Sequence, residues 1–545
     1  MKKAYSYLVI LFSIFWVGFI FFDYLQKHPR YAIRFTNFAY WDLYLIVLGQ
    51  AIVGGLIYQF LKSKVTGLLR GGILLIPGLI LICITFALAL NKGTNIPAKM
   101  SEVFFVLGNY LRVALQIFFI VVAAFSVGSW LVDKTNILLK PVSKTAVSIA
   151  MGLMLIVMAA FFIGVVKGLY WFTLGPLLIG CIALNFKKTL AFLKGISIKK
   201  LKPSKELNFI GVASFLLLLF LIQMNLLQNI SPFPKGWDSL SLYVKLPTII
   251  NDYHGLVRGY QPYNWSLLMS FGMILFNSME TVLGLSFVGG VLCLVGLYAI
   301  GKDILKMNQN YIYLALICFY LIPSVGFQSF QEQKVDLGLL FIVLCIVILL
   351  FHWIKDRQKM LKSDEHSYTS FSFKALANPY LLFMGLLTGF AFGIKLTTLF
   401  TYFSVICVIW FLEFGYLGFL GSSMLCLFAI LLAKLDDMSG MRDYHLTANY
   451  VQWTLLLIGL GTFGYLFYRS KKGFVRSILF SLVYSLFFVL MATPWITKNF
   501  IDSDMQISFR YLLNGKTNEP PGNLNYMKKK YNQHLNQQKL QGNGN

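Results

Sequence analysis

The sequence predicts an all-α, polytopic membrane protein, and three observations carry that reading. Of its 545 residues, 58% are hydrophobic and only 12% are charged, where a soluble chain carries about a quarter. Mean hydropathy is +0.70. Apolar runs of the ~20 residues needed to cross a bilayer recur along most of the length. A chain so poor in charge cannot give several soluble domains a polar surface, and 50 Phe with 29 Tyr exclude a solvated, disordered polymer.

The apolar runs give about 15 transmembrane helices. The first, 5–25, follows Met1, Lys2 and Lys3; it is too long for a cleavable leader and reads as a span with its N-terminus cytoplasmic. Next come 40–61, 72–90, 103–131, 146–166, 169–186 and 207–228. The remainder are 283–301, 311–326, 336–354, 380–394, 397–412, 417–434, 450–468 and 477–497. The stretch 265–282 is ambiguous, being cleanly apolar only over 265–276. Charge arbitrates. The loop 187–206 holds seven Lys and one Glu, and 355–374 and 469–476 are the next basic loops. All three fall on the cytoplasmic side only if 265–282 fails to cross. It is therefore read as a short helix on the outer side, with two packed helices turning at 277–281 as the alternative.

Under this topology 229–264, 327–335, the turn at Lys395, 435–449 and the segment from Lys498 all face outward. Three regions follow: N-terminal helices over 1–206, a membrane core over 207–500 and a polar, partly disordered tail over 501–545. The charge balance, 47 − 21 = +26, is largely the Lys excess that holds loops inside. No nucleic-acid-binding pattern accompanies it. The seven cysteines lie in apolar stretches without a C-x-x-C pair, as small buried hydrophobes do.

The chemistry has to come from the few outward polar residues. Loop 229–264 is rich in aromatics, Pro and Gly, and carries Trp237, Asp238, Tyr243, Lys245, Asp252, His254 and Arg258. Residues 240–250 have the spacing of a short interfacial amphipathic helix. Asp238 is either its N-cap or a working acid or base. Asp336 opens a span, where the helix dipole favours an acid, and Lys334 stands close enough to pair with it or to bind a phosphate. Gly385, Gly389 and Gly393 recur at helical spacing, which lets another helix approach closely; Lys395 ends that span, either snorkelling or contacting a lipid phosphate. Asp436 and Asp437 are candidate oxygen ligands for a divalent metal such as Mg or Mn, or simply part of a charged loop. Pro494 and Trp495 precede Lys498 and Asn499 at the outer end of the last span.

Taken together these residues resemble a family. Gly236-Trp237-Asp238-Ser239-Leu240-Ser241-Leu242-Tyr243 with Leu246-Pro247, then Tyr260-Gln261-Pro262-Tyr263, resembles the first outer loop of GT-C-fold glycosyltransferases. Lys334-Val335-Asp336-Leu337 is similar to their second acidic position, and 389–395 to their glycine-rich span ending G-x-K. Pro494-Trp495-Ile496-Thr497-Lys498-Asn499 is similar to their P-W-x-x-K-N element. The likeness covers about 207–500. Two departures stand out: Val244, not His, follows Tyr243, and Phe500-Ile501-Asp502-Ser503-Asp504 replaces the usual T-G-N-P stretch.

The resemblance implies transfer of a sugar from a polyprenyl-phosphate donor to a lipid, glycan or protein acceptor on the non-cytoplasmic face of a prokaryotic inner membrane. It implies Asp238 as general base, with Asp336 positioning it, binding the acceptor or helping to hold a metal. Lys334, Lys395 and Lys498 would meet the donor phosphate, with Trp237, Tyr243, His254 and Arg258 in the substrate loop. Two other classes compete. An O-antigen polymerase or ligase would be expected to show Arg-rich outer loops, and a transporter or flippase mid-span charges and paired broken helices. Arg112 is the clearest charge within a span.

Overall fold

The computed structural model describes residues 15, 41–61, 100–135, 137–195, 207–229, 243–258, 260–322, 325–326, 334–362, 378–432 and 449–502. Among the described residues every regular element is helical. The order is α1 (Trp41–Leu61), α2 (Met100–Lys134), α3 (Pro141–Val165), α4 (Trp171–Leu184), α5 (Phe186–Gly195), α6 (Phe209–Asn229), α7 (Lys245–Tyr253) and α8 (Asn264–Phe276). It continues with α9 (Met279–Ala299), a π-turn (Ile300–Ile304), α10 (Gln309–Tyr320), α11 (Asp336–Lys362) and α12 (Pro379–Phe392). The series closes with α13 (Thr398–Phe414), α14 (Tyr416–Leu432), α15 (Asn449–Arg469) and α16 (Lys471–Asp502).

By length and composition this is a multi-pass integral membrane protein. Six helical stretches among the described residues are long and apolar enough to cross a bilayer: Gly108–Lys134, Pro141–Val165, Met279–Ile304, Asp336–Arg357, Tyr450–Arg469 and Lys471–Asp502. A seventh arises if α4 and α5, bent by 81° at Asn185, form one broken span. The bend is tied down by Asn185 Nδ2 donating to Ser129 Oγ (2.9 Å) and Thr189 Oγ1 to Ser126 Oγ (2.8 Å). Apart from residue 15, the expected spans 5–25 and 72–90 lie outside the described residues.

Local chemistry sets several helix ends that matter below. Asn378 Oδ1 accepts from the N–H groups of Tyr380 (3.0 Å) and Leu381 (3.3 Å), with Pro379 at the first helical position of α12, an arrangement that satisfies orphan donors and pre-sets φ. Asn277 closes α8 in the left-handed region (φ 47°), and Ser278 at once caps α9. The single short helix expected over 265–282 is instead divided: α8 ends at Phe276 and α9 begins at Met279, four residues before the expected 283, so the alternative of two packed helices joined by a tight turn holds. Gly272 faces Val282 and Trp265 faces Gly289, so α8 runs antiparallel to the first half of α9. At 13 residues it is about 20 Å long, short of the ~30 Å hydrocarbon thickness.

The amphipathic segment expected at 240–250 is α7, which starts at Lys245 with Val244 in the N-cap position. Residues 240–242 of the expected segment lie outside the described residues, and Pro247 falls in the first turn of α7, where proline is tolerated. Leu246, Pro247, Ile249 and Ile250 form its buried face.

One continuous cluster of buried side chains runs from Val113 in α2 to Trp495 in α16, so packing is unbroken across position 206. The Gly385/Gly389 stripe is in van der Waals contact with α16: a Cβ at either position would lie 2.5 Å from the carbonyl oxygens of Tyr484 and Phe488, respectively. Charged groups collect at the two ends of the bundle. One end holds Asp303, which accepts from Ser143 N (2.8 Å) and Oγ (2.9 Å) at the start of α3, and Asp133 with Lys144 and Lys188. It also holds Glu413 between Arg357 and Arg476. Arg112, the charge expected within a span, lies in the span-length stretch Gly108–Lys134, 3.9 Å from Glu280 at the first turn of α9.

Candidate active site

At the other end of the bundle, one dipeptide joins three segments that are far apart in sequence. The backbone N–H of Asn264 donates to Gly393 O (2.7 Å), at the C-cap of α12, and its Nδ2 to Phe390 O (2.8 Å), in the last turn of that helix. Its Oδ1 accepts from Trp495 Nε1 (2.8 Å) in α16. Asn264 is fully buried, so all three bonds form out of water, where leaving any of them unmade is costly. Trp265, next in sequence and also fully buried, lies flat against Gly338, where a Cβ would come within 2.5 Å of its ring. Asn264 thereby fixes the turn that carries Lys395, and Trp265 the first turn of α11, which carries Asp336.

The result is an ion pair between residues 59 apart: Lys395 Nζ donates to Asp336 Oδ1 at 2.7 Å. The two side chains are 42% and 39% exposed. Asp336 is the first residue of α11, where the helix dipole favours its charge independently of Lys395. Lys334 lies two residues before it, and its carbonyl accepts from Ser286 Oγ (3.1 Å).

Lys498 sits at the same end in a different state. It donates to Asp502 Oδ2 (2.7 Å), one turn further along α16, and the side chains are 8% and 5% exposed. The Lys498 ammonium lies 5.7 Å from the Tyr263 ring centroid and 5.8 Å from that of Trp495, within cation–π range. Tyr263 packs edge-on against Trp495 (4.6 Å), as does Phe161 of α3 (4.8 Å). The Tyr263 hydroxyl accepts from Val257 N (2.7 Å), and burial pushes its pKa up, so the phenol stays protonated. Asn499 is fully buried beside this group.

The substrate-loop residues are distributed around it. His254 ends α7 in the left-handed region (φ 56°), with Nδ1 3.2 Å from Leu169 O and its ring stacked on Tyr170 at 4.0 Å. The N-terminal helices therefore hold this loop from the side, since Leu169 N also donates to His254 O and Leu256 N to Gly164 O. Tyr243 packs half-buried against the main core, and Arg258 is exposed. Trp237, Asp238, Asp436 and Asp437 lie outside the described residues. Among the described residues no group of three His, Cys, Asp or Glu side chains is placed to hold a metal.

Two residues of this end escaped the sequence reading. Asn264 carried a signal, a lone amide opening an apolar helix directly after the Tyr260–Tyr263 element. Asp502 carried another, since it stands four residues after Lys498, the spacing of a helical ion pair. No family model, characterised protein or solved structure matches the chain. Function has to be argued from these residues and their geometry.

Proposed function

We propose that the chain is a membrane glycosyltransferase that moves a sugar from a polyprenyl-phosphate donor to a lipid, glycan or protein acceptor at the end of the bundle carrying Asp336. The observation that supports this is the convergence at Asn264 and Trp265. The sequence elements at 260–263, 334–337, 389–395 and 494–499 lie far apart along the chain, and their side chains and turns meet within a few bonds. The short α8, too short to cross, is consistent with that end being non-cytoplasmic. A prokaryotic inner membrane is the setting in this reading.

The chemistry asks little of the protein. Asp238 takes the proton of the acceptor hydroxyl, and the acceptor oxygen bonds to the anomeric carbon from the face opposite the phosphate. The bond from that carbon to the phosphate oxygen breaks, its electron pair leaves with the polyprenyl phosphate, and configuration inverts. Phosphate is a good leaving group, so a single general base suffices. Lys395 stabilises the charge gathering on the phosphate. Apolar surfaces of the spans hold the prenyl chain.

The test uses full-length protein reconstituted with polyprenyl-phosphate sugars. Asp238→Asn should lower transfer by ~100-fold or more, the size of a general-base contribution, with expression and membrane insertion intact. Transfer that survives this change would remove Asp238 as the base. No transfer by the unaltered protein from any polyprenyl-phosphate sugar would remove the reading.

A further inference from the structure

Resting on that reading, we infer that the Asp336/Lys395 pair is an exchange point, at which the donor's phosphate takes Lys395 away from Asp336 and frees the carboxylate to bind the acceptor hydroxyl. Three observations carry it. The pair is short, 2.7 Å, yet about two-fifths of each side chain is exposed, and an ion pair this open contributes little by itself. Each partner has an independent anchor. Asp336 sits on the N-terminal turn of α11, whose dipole retains the carboxylate after Lys395 leaves. Lys395 follows a turn locked by Asn264 and Gly393, so the ammonium stays at the site when its partner changes.

The third observation is the contrast with Lys498. That lysine is paired within one helix to Asp502, with both side chains under a tenth exposed, and lies against Tyr263 and Trp495. A phosphate approaching from the open side meets Lys395 first. A phosphate oxygen is an acceptor at least as strong as a carboxylate toward an ammonium, so the exchange leaves Lys395 satisfied and Asp336 vacant. Binding is then ordered: the donor comes first, and the acceptor hydroxyl is received by a carboxylate that was occupied before.

The exchange makes a prediction opposite in sign to a simple binding role for Asp336. Full-length protein in nanodiscs is titrated with three probes: inorganic phosphate, phosphatidic acid and a polyprenyl phosphate. Asp336→Asn should tighten binding by about two- to fivefold, the worth of an exposed pair, and Lys395→Met should weaken it by about tenfold. In the Lys395→Met background Asp336→Asn should change nothing, because the carboxylate acts through the lysine. Asp502→Asn serves as a comparison for removal of an acid at the same end and should not tighten binding. Weaker binding in Asp336→Asn, an equal effect in both backgrounds, or no saturable binding of any probe would overturn the exchange. Preference among the probes reads a different question: tighter binding of the polyprenyl phosphate supports the lipid-sugar donor. Equal binding of all three, with the cycle intact, would leave the exchange standing and count against the donor.

Discussion

Gly393→Ala is expected to lower both stability and phosphate binding, although it adds a single methyl group. The new Cβ would overlap Asn264 Nδ2, come within 2.7 Å of Asn264 Cγ and lie 2.8 Å from Trp495 Nε1. None of these groups can retreat easily, since Asn264 and Trp495 are fully buried and bonded to each other. Overpacking of this kind costs about 1–3 kcal/mol, and pushing Asn264 aside also endangers its bonds to Phe390 O and Gly393 O. The turn would then no longer present Lys395 to Asp336. The measurement is thermal unfolding in detergent, with phosphate binding on the same sample. Gly461→Ala is the control, because nothing lies within 4 Å of that position and a helical Gly-to-Ala change there is neutral or stabilising. Equal behaviour of the two variants would dismiss the tight turn.

Glu413→Ala should destabilise the opposite end of the bundle by about 3 kcal/mol or more, since removing one partner of a buried ion pair strands the other. Here two partners are stranded. Glu413 is 11% exposed, Arg357 13% and Arg476 24%, and the carboxylate joins α13 to α11 and α16. Arg357 lies over the rings of Trp353 and Phe480, at 5.9 and 6.0 Å, which block its route to water. Chemical or thermal unfolding of the full-length protein gives the number. Glu413→Gln should fall between the parent and the alanine variant, because it keeps acceptor capacity without charge. The looser pair of Arg112 and Glu280, 3.9 Å apart with Arg112 49% exposed, provides the contrast, and Glu280→Ala should cost less than about 1 kcal/mol.

The parts of this fold that composition dictates were legible in the sequence. Helices occur at nearly every described apolar run, Asp336 does open its helix, and the Gly385/Gly389 stripe does admit a neighbour. What was not legible is which helix meets which. A membrane helix is apolar on all sides, so its sequence marks its ends and not the face that packs. Lys395 could be seen at a helix end, but its partner 59 residues away could not. The π-turn at Ile300–Ile304 and the 81° break at Asn185 likewise depend on contacts made only after folding, with Ser143 and Ser129.

The functional reading depends on Asp238 acting on the same sugar, and from the same side of the membrane, as the Asp336/Lys395 pair. Paired cysteines at 238 and 395, in a chain whose seven native cysteines have been replaced by serine or alanine, test it most directly with a membrane-impermeant bifunctional thiol reagent about one sugar in length. The expected result is an efficient intramolecular cross-link from the non-cytoplasmic side, matched by the pair at 336 and 395. A cross-link at 336 and 395 with none at 238 and 395, or labelling of the two positions from opposite faces of the membrane, would contradict it.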